Sequence, residues 1–215
     1  MLYRRISAAR RMCRVTCVFA VIALLAAKPL VAADIVRVEE DWELVVKEPD
    51  VDTQAPQVTC VISPTGGIES SYAALTVNHK TLPDYDAGGI QLQVWRDGDA
   101  VANSKHPQDD LLGTANETIT WTQRMSAENG QLVFEVVAGQ STTWGSFGGQ
   151  GNLRASADTA LSNLNGYDWH VSVANSGVGY AGNRVTKLVL KRVRSYSAEG
   201  LVQEDNSPKT VHPHD

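Results

Sequence analysis

The apolar runs of this chain are short, and nearly all of them are rich in β-branched and aromatic residues. Gly, Asn, Asp and Pro divide them, and helical periodicity is almost absent. Many short runs of this kind with turn signals between them define an all-β fold, a sandwich or barrel of antiparallel strands. We read strands at Trp42–Val46, Gln57–Ser63, Ser71–Asn78, Ile90–Arg96, Thr118–Arg124, Gln131–Val137, Thr142–Ser146, Trp169–Ala174 and Arg184–Tyr196. Alternation supports several of these. Leu92 and Val94 point to one side of their strand, with Gln91, Gln93 and Trp95 on the other. Trp169, Val171 and Val173 share a face, opposite His170 and Ser172. Ser156–Leu164 reads either as the one helix or as an irregular loop ending at Asn165-Gly166.

The first 33 residues stand apart. Arg4, Arg5, Arg10, Arg11 and Arg14 precede an apolar run of 13 residues, Val15 to Ala27, and Val31-Ala32-Ala33 follows. A basic stretch, a short apolar stretch and small residues are the marks of a secretory signal peptide, here cleaved before Asp34. At about 1.5 Å per residue the apolar run falls short of a ~30 Å bilayer core, so no stable membrane insertion is expected after cleavage. The expected location is secreted, periplasmic or at the cell surface. The expected domains are a signal peptide at 1–33, an acidic N-terminal arm at 34–56, a sandwich at 57–197 and a flexible polar tail at 198–215.

The leader holds six of the 19 basic residues and none of the 24 acidic ones, which leaves a net charge of −11 in the remainder. Such an acidic body argues against nucleic acid as a general partner. Five of the remaining basic residues, Arg184, Lys187, Lys191, Arg192 and Arg194, crowd into the last long strand. They read either as a face for an anionic ligand or as a charged strand that meets acidic neighbours. Cys60 is the one cysteine outside the leader and sits in an apolar strand. That is the setting of a buried small hydrophobe, with a reactive thiol or intermolecular bridge as the other readings.

Two glycine-rich stretches are the candidate ligand loops. Trp144-Gly-Ser-Phe147-Gly-Gly-Gln-Gly-Asn152 matches neither a phosphate loop nor a dinucleotide fingerprint. The second runs through Asn175, Tyr180, Asn183 and Arg184. Aromatic faces for a sugar ring, with amides and a guanidinium for its hydroxyls, make Trp144, Phe147, Asn175, Tyr180, Asn183 and Arg184 the candidate binding residues. Each stretch also reads as a plain connection, and Trp144 as a core residue.

Acid pairs occur at Asp50/Asp52, Asp84/Asp86, Asp97/Asp99 and Asp109/Asp110. Calcium needs six to eight oxygens, so no pair is a site alone. A structural calcium ion is nonetheless the one cofactor this composition suggests. Asp97-Gly98-Asp99 reads first as a hairpin turn, and His212-Pro-His214-Asp215 as an unspecific tail. No catalytic residue is assigned. No nucleophile elbow or zinc-protease motif is present, and no strand carries the alternating carboxylates of a glucanase. Glu135 with a loop Asp, or His79, His106 or His170 as a base, are the remaining candidates.

The stretches Asp41-Trp42-Glu43-Leu44-Val45-Val46, Ala55–Pro64 and Gly89-Ile-Gln-Leu-Gln-Val-Trp95 resemble a group of secreted bacterial proteins of unassigned function. At the level of fold the layout is similar to concanavalin-like jelly rolls. That resemblance implies an antiparallel sandwich with a long strand near the C-terminus, and no residue of a lectin metal site carries over. The reading is an exported, non-enzymatic binding module whose first expected partner is a glycan or cell-surface polysaccharide. The alternatives are a polysaccharide hydrolase or lyase, and a structural envelope protein. Oligomeric state is left open.

Overall fold

A computed structural model describes residues 33–50, 56–68, 70–78, 89–106, 114–149, 151–173 and 184–212. All of them lie in the unit Ala33–Asp215. Two antiparallel sheets form a sandwich, and no helix occurs among the described residues. The larger sheet contains β1 (Arg37–Val46), β6 (Thr118–Glu128), β7 (Gln131–Ser141), β8 (Gly145–Phe147), β9 (Arg154–Asp158), β11 (Val185–Ser197), β12 (Gly200–Asp205) and β13 (Lys209–His212). Its order is β12-β11-β1-β6-β7-β8, with β13 beside β12 on the edge of β11 and β9 on β7. The smaller sheet is ordered β10-β2-β3-β4-β5, from β2 (Gln57–Ser63), β3 (Ser71–Asn78), β4 (Gly89–Arg96), β5 (Asp99–His106) and β10 (Asp168–Ser172).

Period-two alternation builds the core. Along β1, Val38, Glu40, Trp42, Leu44 and Val46 are buried, while Arg37, Glu39, Asp41 and Glu43 lie on the other face. Val58, Cys60 and Ile62 of β2, Leu75 and Val77 of β3, and Ile90, Leu92 and Val94 of β4 meet them from the smaller sheet. Cys60 is free and buried, and burial pushes its thiol pKa up. Trp42 stacks on Trp121 of β6, with centroids 6.1 Å apart, and meets Trp169 of β10 edge-on at 5.9 Å. The three indoles thus join the two sheets. Asp97-Gly98 and Asn129-Gly130 close the β4–β5 and β6–β7 hairpins, all four residues at positive φ. That is the two-residue turn that Asp-Gly and Asn-Gly favour.

Several expectations change. The described part of 34–56 holds no free arm or edge strand: β1 is an interior strand, between β11 and β6. Its acidic residues are accommodated because β6 and β11 set arginines and lysines opposite them. The described part of the tail, 198–212, is not a free one, because β12 and β13 pair with β11 over Leu188–Leu190 and Val193–Ser197. Residues 142–144 form a turn, and the strand there is Gly145–Phe147. Ser156–Leu164 contains no helix: β9 runs to Asp158, and the chain then passes without regular structure to Leu164, whose N–H donates to Ile35 O at 2.6 Å.

Candidate functional site

The aromatic loop residues belong to the core. Phe147 is only 4% exposed. Its ring fills the space over Gly139, where a Cβ would come within 2.2 Å of it. It therefore offers no open stacking face, although it lines part of the groove described below. Trp144 is half-buried, its ring 5.1 Å from Phe147 and 5.9 Å from His106. Its indole N–H donates to Glu117 Oε1 at 2.5 Å, and Ser141 Oγ donates to the same oxygen at 2.9 Å. Trp144 thus serves a fully buried carboxylate. Burial also lowers the His106 pKa. Arg184 sits at positive φ with its guanidinium on Asp50 at 2.5 Å. Backbone bonds from Val46 N to Glu117 O and from Lys47 N to Arg184 O bring Glu117 and Arg184 to one end of the larger sheet. Asn175, Tyr180 and Asn183 lie outside the described residues, as do His79, Asp52, Asp84, Asp86, Asp109, Asp110 and 213–215.

The other candidates separate. Glu135 accepts from Arg124 at 2.9 Å. His170 lies on the outer face of the smaller sheet, 3.9 Å from Asp168. Among the described residues no three His, Cys, Asp or Glu side chains gather as a metal site.

What strands do assemble is a groove of about 620 Å³ across the outer face of the larger sheet. Its lining includes Thr120 and Thr122 from β6, Ala138 and Gln140 from β7, and Ser146 from β8. The methyl group of Ala138 and the bare backbone of Gly148 keep this part low. Val137 is an extra residue at a register shift between β6 and β7, where a bulge bends the strand. The opposite wall is charged: Asp41 and Glu43 of β1 beside Lys191 and Arg192 of β11. Arg192 donates to Asp41 at 2.6 Å, Arg194 at 3.1 Å and Thr122 Oγ1 at 2.7 Å. Glu43 pairs with Lys187, and with Lys191 at 3.2 Å. Those hydrogen bonds, Lys187 first, hold the Glu43 carboxyl below its ordinary pKa. Ser146 Oγ donates to Gln140 Oε1 at 2.7 Å. Sequence inspection names Phe147 among the ligand candidates and Lys191 and Arg192 in the basic strand, but it does not assemble the groove, whose residues come from five separated strands. A further signal is the Thr118-x-Thr120-x-Thr122 alternation on a strand with an apolar opposite face.

A second polar cluster lies between the sheets. Glu40 is fully buried. Its Oε2 accepts from Trp42 Nε1 at 2.7 Å and Gln123 Nε2 at 2.6 Å, and its Oε1 accepts from the Tyr167 hydroxyl at 2.7 Å. Desolvation outweighs these three donors and pushes the carboxyl pKa from 4.5 up to about 7. Burial and the neighbouring Glu40 likewise push the Tyr167 pKa up. None of its residues lines the groove on the outer face.

The fold and the groove define a β-sandwich with a polar, ligand-sized recess on one sheet. No protein-family profile matches the chain, and no curated protein does. Among solved structures, the chain is similar to the crystal structure of the ancestral congerin Con-anc, with a TM-score of 0.34 and 11% identity over 73% of this chain and 92% of that one.

Proposed function

We propose that this chain is an exported, non-enzymatic carbohydrate-binding sandwich whose ligand lies in the groove on the larger sheet. The observation that carries the reading is the groove's lining. Hydroxyls from Thr120, Thr122 and Ser146, the Gln140 amide and a paired charged wall face a recess of about 620 Å³. That volume falls within the range of small-ligand sites. Fixed hydroxyl, amide and charged groups are complementary to the alternating donors and acceptors of a sugar. Export is supported by the basic and apolar leader at 1–33. No helix among the described residues is long and apolar enough to cross a membrane.

A glycan array probed with protein expressed from the full chain, with calcium and then with chelator, tests this reading. Specific retention is expected, and Ala138→Met, which fills the exposed floor without adding charge, is expected to abolish it. A blank array, or undiminished retention by A138M, overturns the proposal. Loss in chelator would reveal the calcium ion that the acid pairs suggest.

A further inference from the structure

The charged wall of the groove continues as a ladder of ion pairs across the larger sheet. Arg154 meets Glu135 at 3.7 Å, and Glu135 meets Arg124 at 2.9 Å. Arg124 meets Glu39 at 2.8 Å, and Arg194 spans Glu39 and Asp41 at 3.2 and 3.1 Å. Arg192 spans Asp41 and Glu204 at 2.6 and 3.2 Å. With Arg37 on Glu39, and Lys187 and Lys191 on Glu43, seven cations share five carboxylates among the described residues. This excess of positive charge sits on a chain whose net charge is −5.

The pairs are also layered. In each one the cation is the more exposed partner. Beside the groove, Asp41 and Glu43 are 18% and 19% exposed, and Arg192 and Lys191 are 38% and 46% exposed. A molecule approaching the sheet therefore meets ammonium and guanidinium groups first. The carboxylates beneath hold them in place and leave a net positive field at the surface. Hydroxyls and an amide continue from that wall along the floor.

We infer that the groove takes an acidic saccharide, one carrying carboxylate or sulfate groups, with Lys191 and Arg192 on the anion and the floor of Thr120, Thr122 and Gln140 on the hydroxyls. The inference rests on the carbohydrate reading above and narrows it to one ligand class. An anionic lipid or nucleic acid would use the same cations, but has no need of the hydroxyl-lined floor.

The test compares oligosaccharides of one backbone, neutral and sulfated or carboxylated, on the full-chain protein at low and high ionic strength. Phosphatidylserine vesicles and a DNA duplex serve as controls. The acidic form is expected to bind at least tenfold more tightly than the neutral one, and salt should erode the difference. Lys191→Gln should weaken it about fivefold, the Coulomb effect of one charge at contact in water. Glu43→Gln is the sharper variant: it removes a carboxylate beneath two lysines and should tighten acidic binding by a similar factor. A purely structural Glu43 would give weaker binding instead. Equal binding of neutral and acidic forms, or weakening by E43Q with an unchanged melting temperature, overturns this inference and leaves the carbohydrate reading standing. Preference for vesicles or DNA overturns the saccharide assignment. Retention of no glycan overturns both.

Discussion

Replacing Glu40 with glutamine should make the protein more stable at pH 8 and leave it nearly unchanged at pH 4.5. Glu40 has no solvent contact and accepts three hydrogen bonds. Its pKa rises from 4.5 to about 7 in the folded protein, with desolvation the largest cause. Below pH 4.5 the group is protonated in both folded and unfolded chains, and its contribution is fully present. Between 4.5 and 7 the unfolded chain gives up the proton while the folded chain keeps it, so stability falls as pH rises. Above 7 both states are ionised and the penalty is constant. Each pH unit between the two values costs about 1.36 kcal/mol, so the loss totals about 3 kcal/mol.

Glutamine keeps the geometry. Its amide oxygen can accept from Trp42 and Gln123, and its amide nitrogen can donate to the Tyr167 oxygen, which then acts as acceptor. The assay is urea unfolding of wild type and E40Q from pH 4.5 to 8, followed by the fluorescence of the core tryptophans. Every other titrating group is common to both proteins, so the difference between the two curves isolates Glu40. That difference should grow to about 3 kcal/mol in favour of E40Q, or roughly 6–12 °C in melting temperature for a chain of this size. A difference independent of pH, or an E40Q protein less stable at pH 8, would refute the reasoning. It would mean that the three donors, rather than desolvation, decide the charge of this carboxyl.

Trp144→Phe should lower stability by about 1–3 kcal/mol in chemical denaturation, because it takes a donor from the buried Glu117 carboxylate; an unaltered midpoint would make Trp144 a candidate ligand residue again. Gly139→Ala puts a methyl group 2.2 Å from the Phe147 ring and should cost about 1–3 kcal/mol by overpacking, read as a drop in melting temperature. Ending the chain after Ser197 removes β12 and β13 from the β11 edge; concentration-dependent association in sedimentation is expected from the exposed strand, together with a lower melting temperature. Intact mass of the protein recovered from an exporting host should correspond to a chain beginning at Asp34.

How far the sequence discloses this molecule depends on where the pattern meets its partner. The strands of the smaller sheet that read clearly, Gln57–Ser63 and Ser71–Asn78, have the observed bounds, because apolar residues alternate along them without interruption. β1 reads only from Trp42, since Glu39-Glu40-Asp41 breaks the apolar alternation. The residues that make this acidic stretch tolerable, Gln123, Arg124, Arg192 and Arg194, lie about 80 and 150 positions away. β5 and β12 bury little side-chain surface, and the backbone pairing that holds them leaves no trace in composition. The aromatic loop misleads for a related reason. Trp144 and Phe147 among glycines look like a recognition surface until Gly139, on the neighbouring strand, is seen to leave room for the Phe147 ring. The groove is the extreme case: small, hydroxylated and charged residues on five strands, each unremarkable locally, become a recess only when register sets them side by side. The basic cluster of the last strand is the most informative feature, and its two readings turn out to be compatible. Its cations do meet acidic neighbours, and because those neighbours lie deeper, the paired strand still presents positive charge to whatever reaches the sheet.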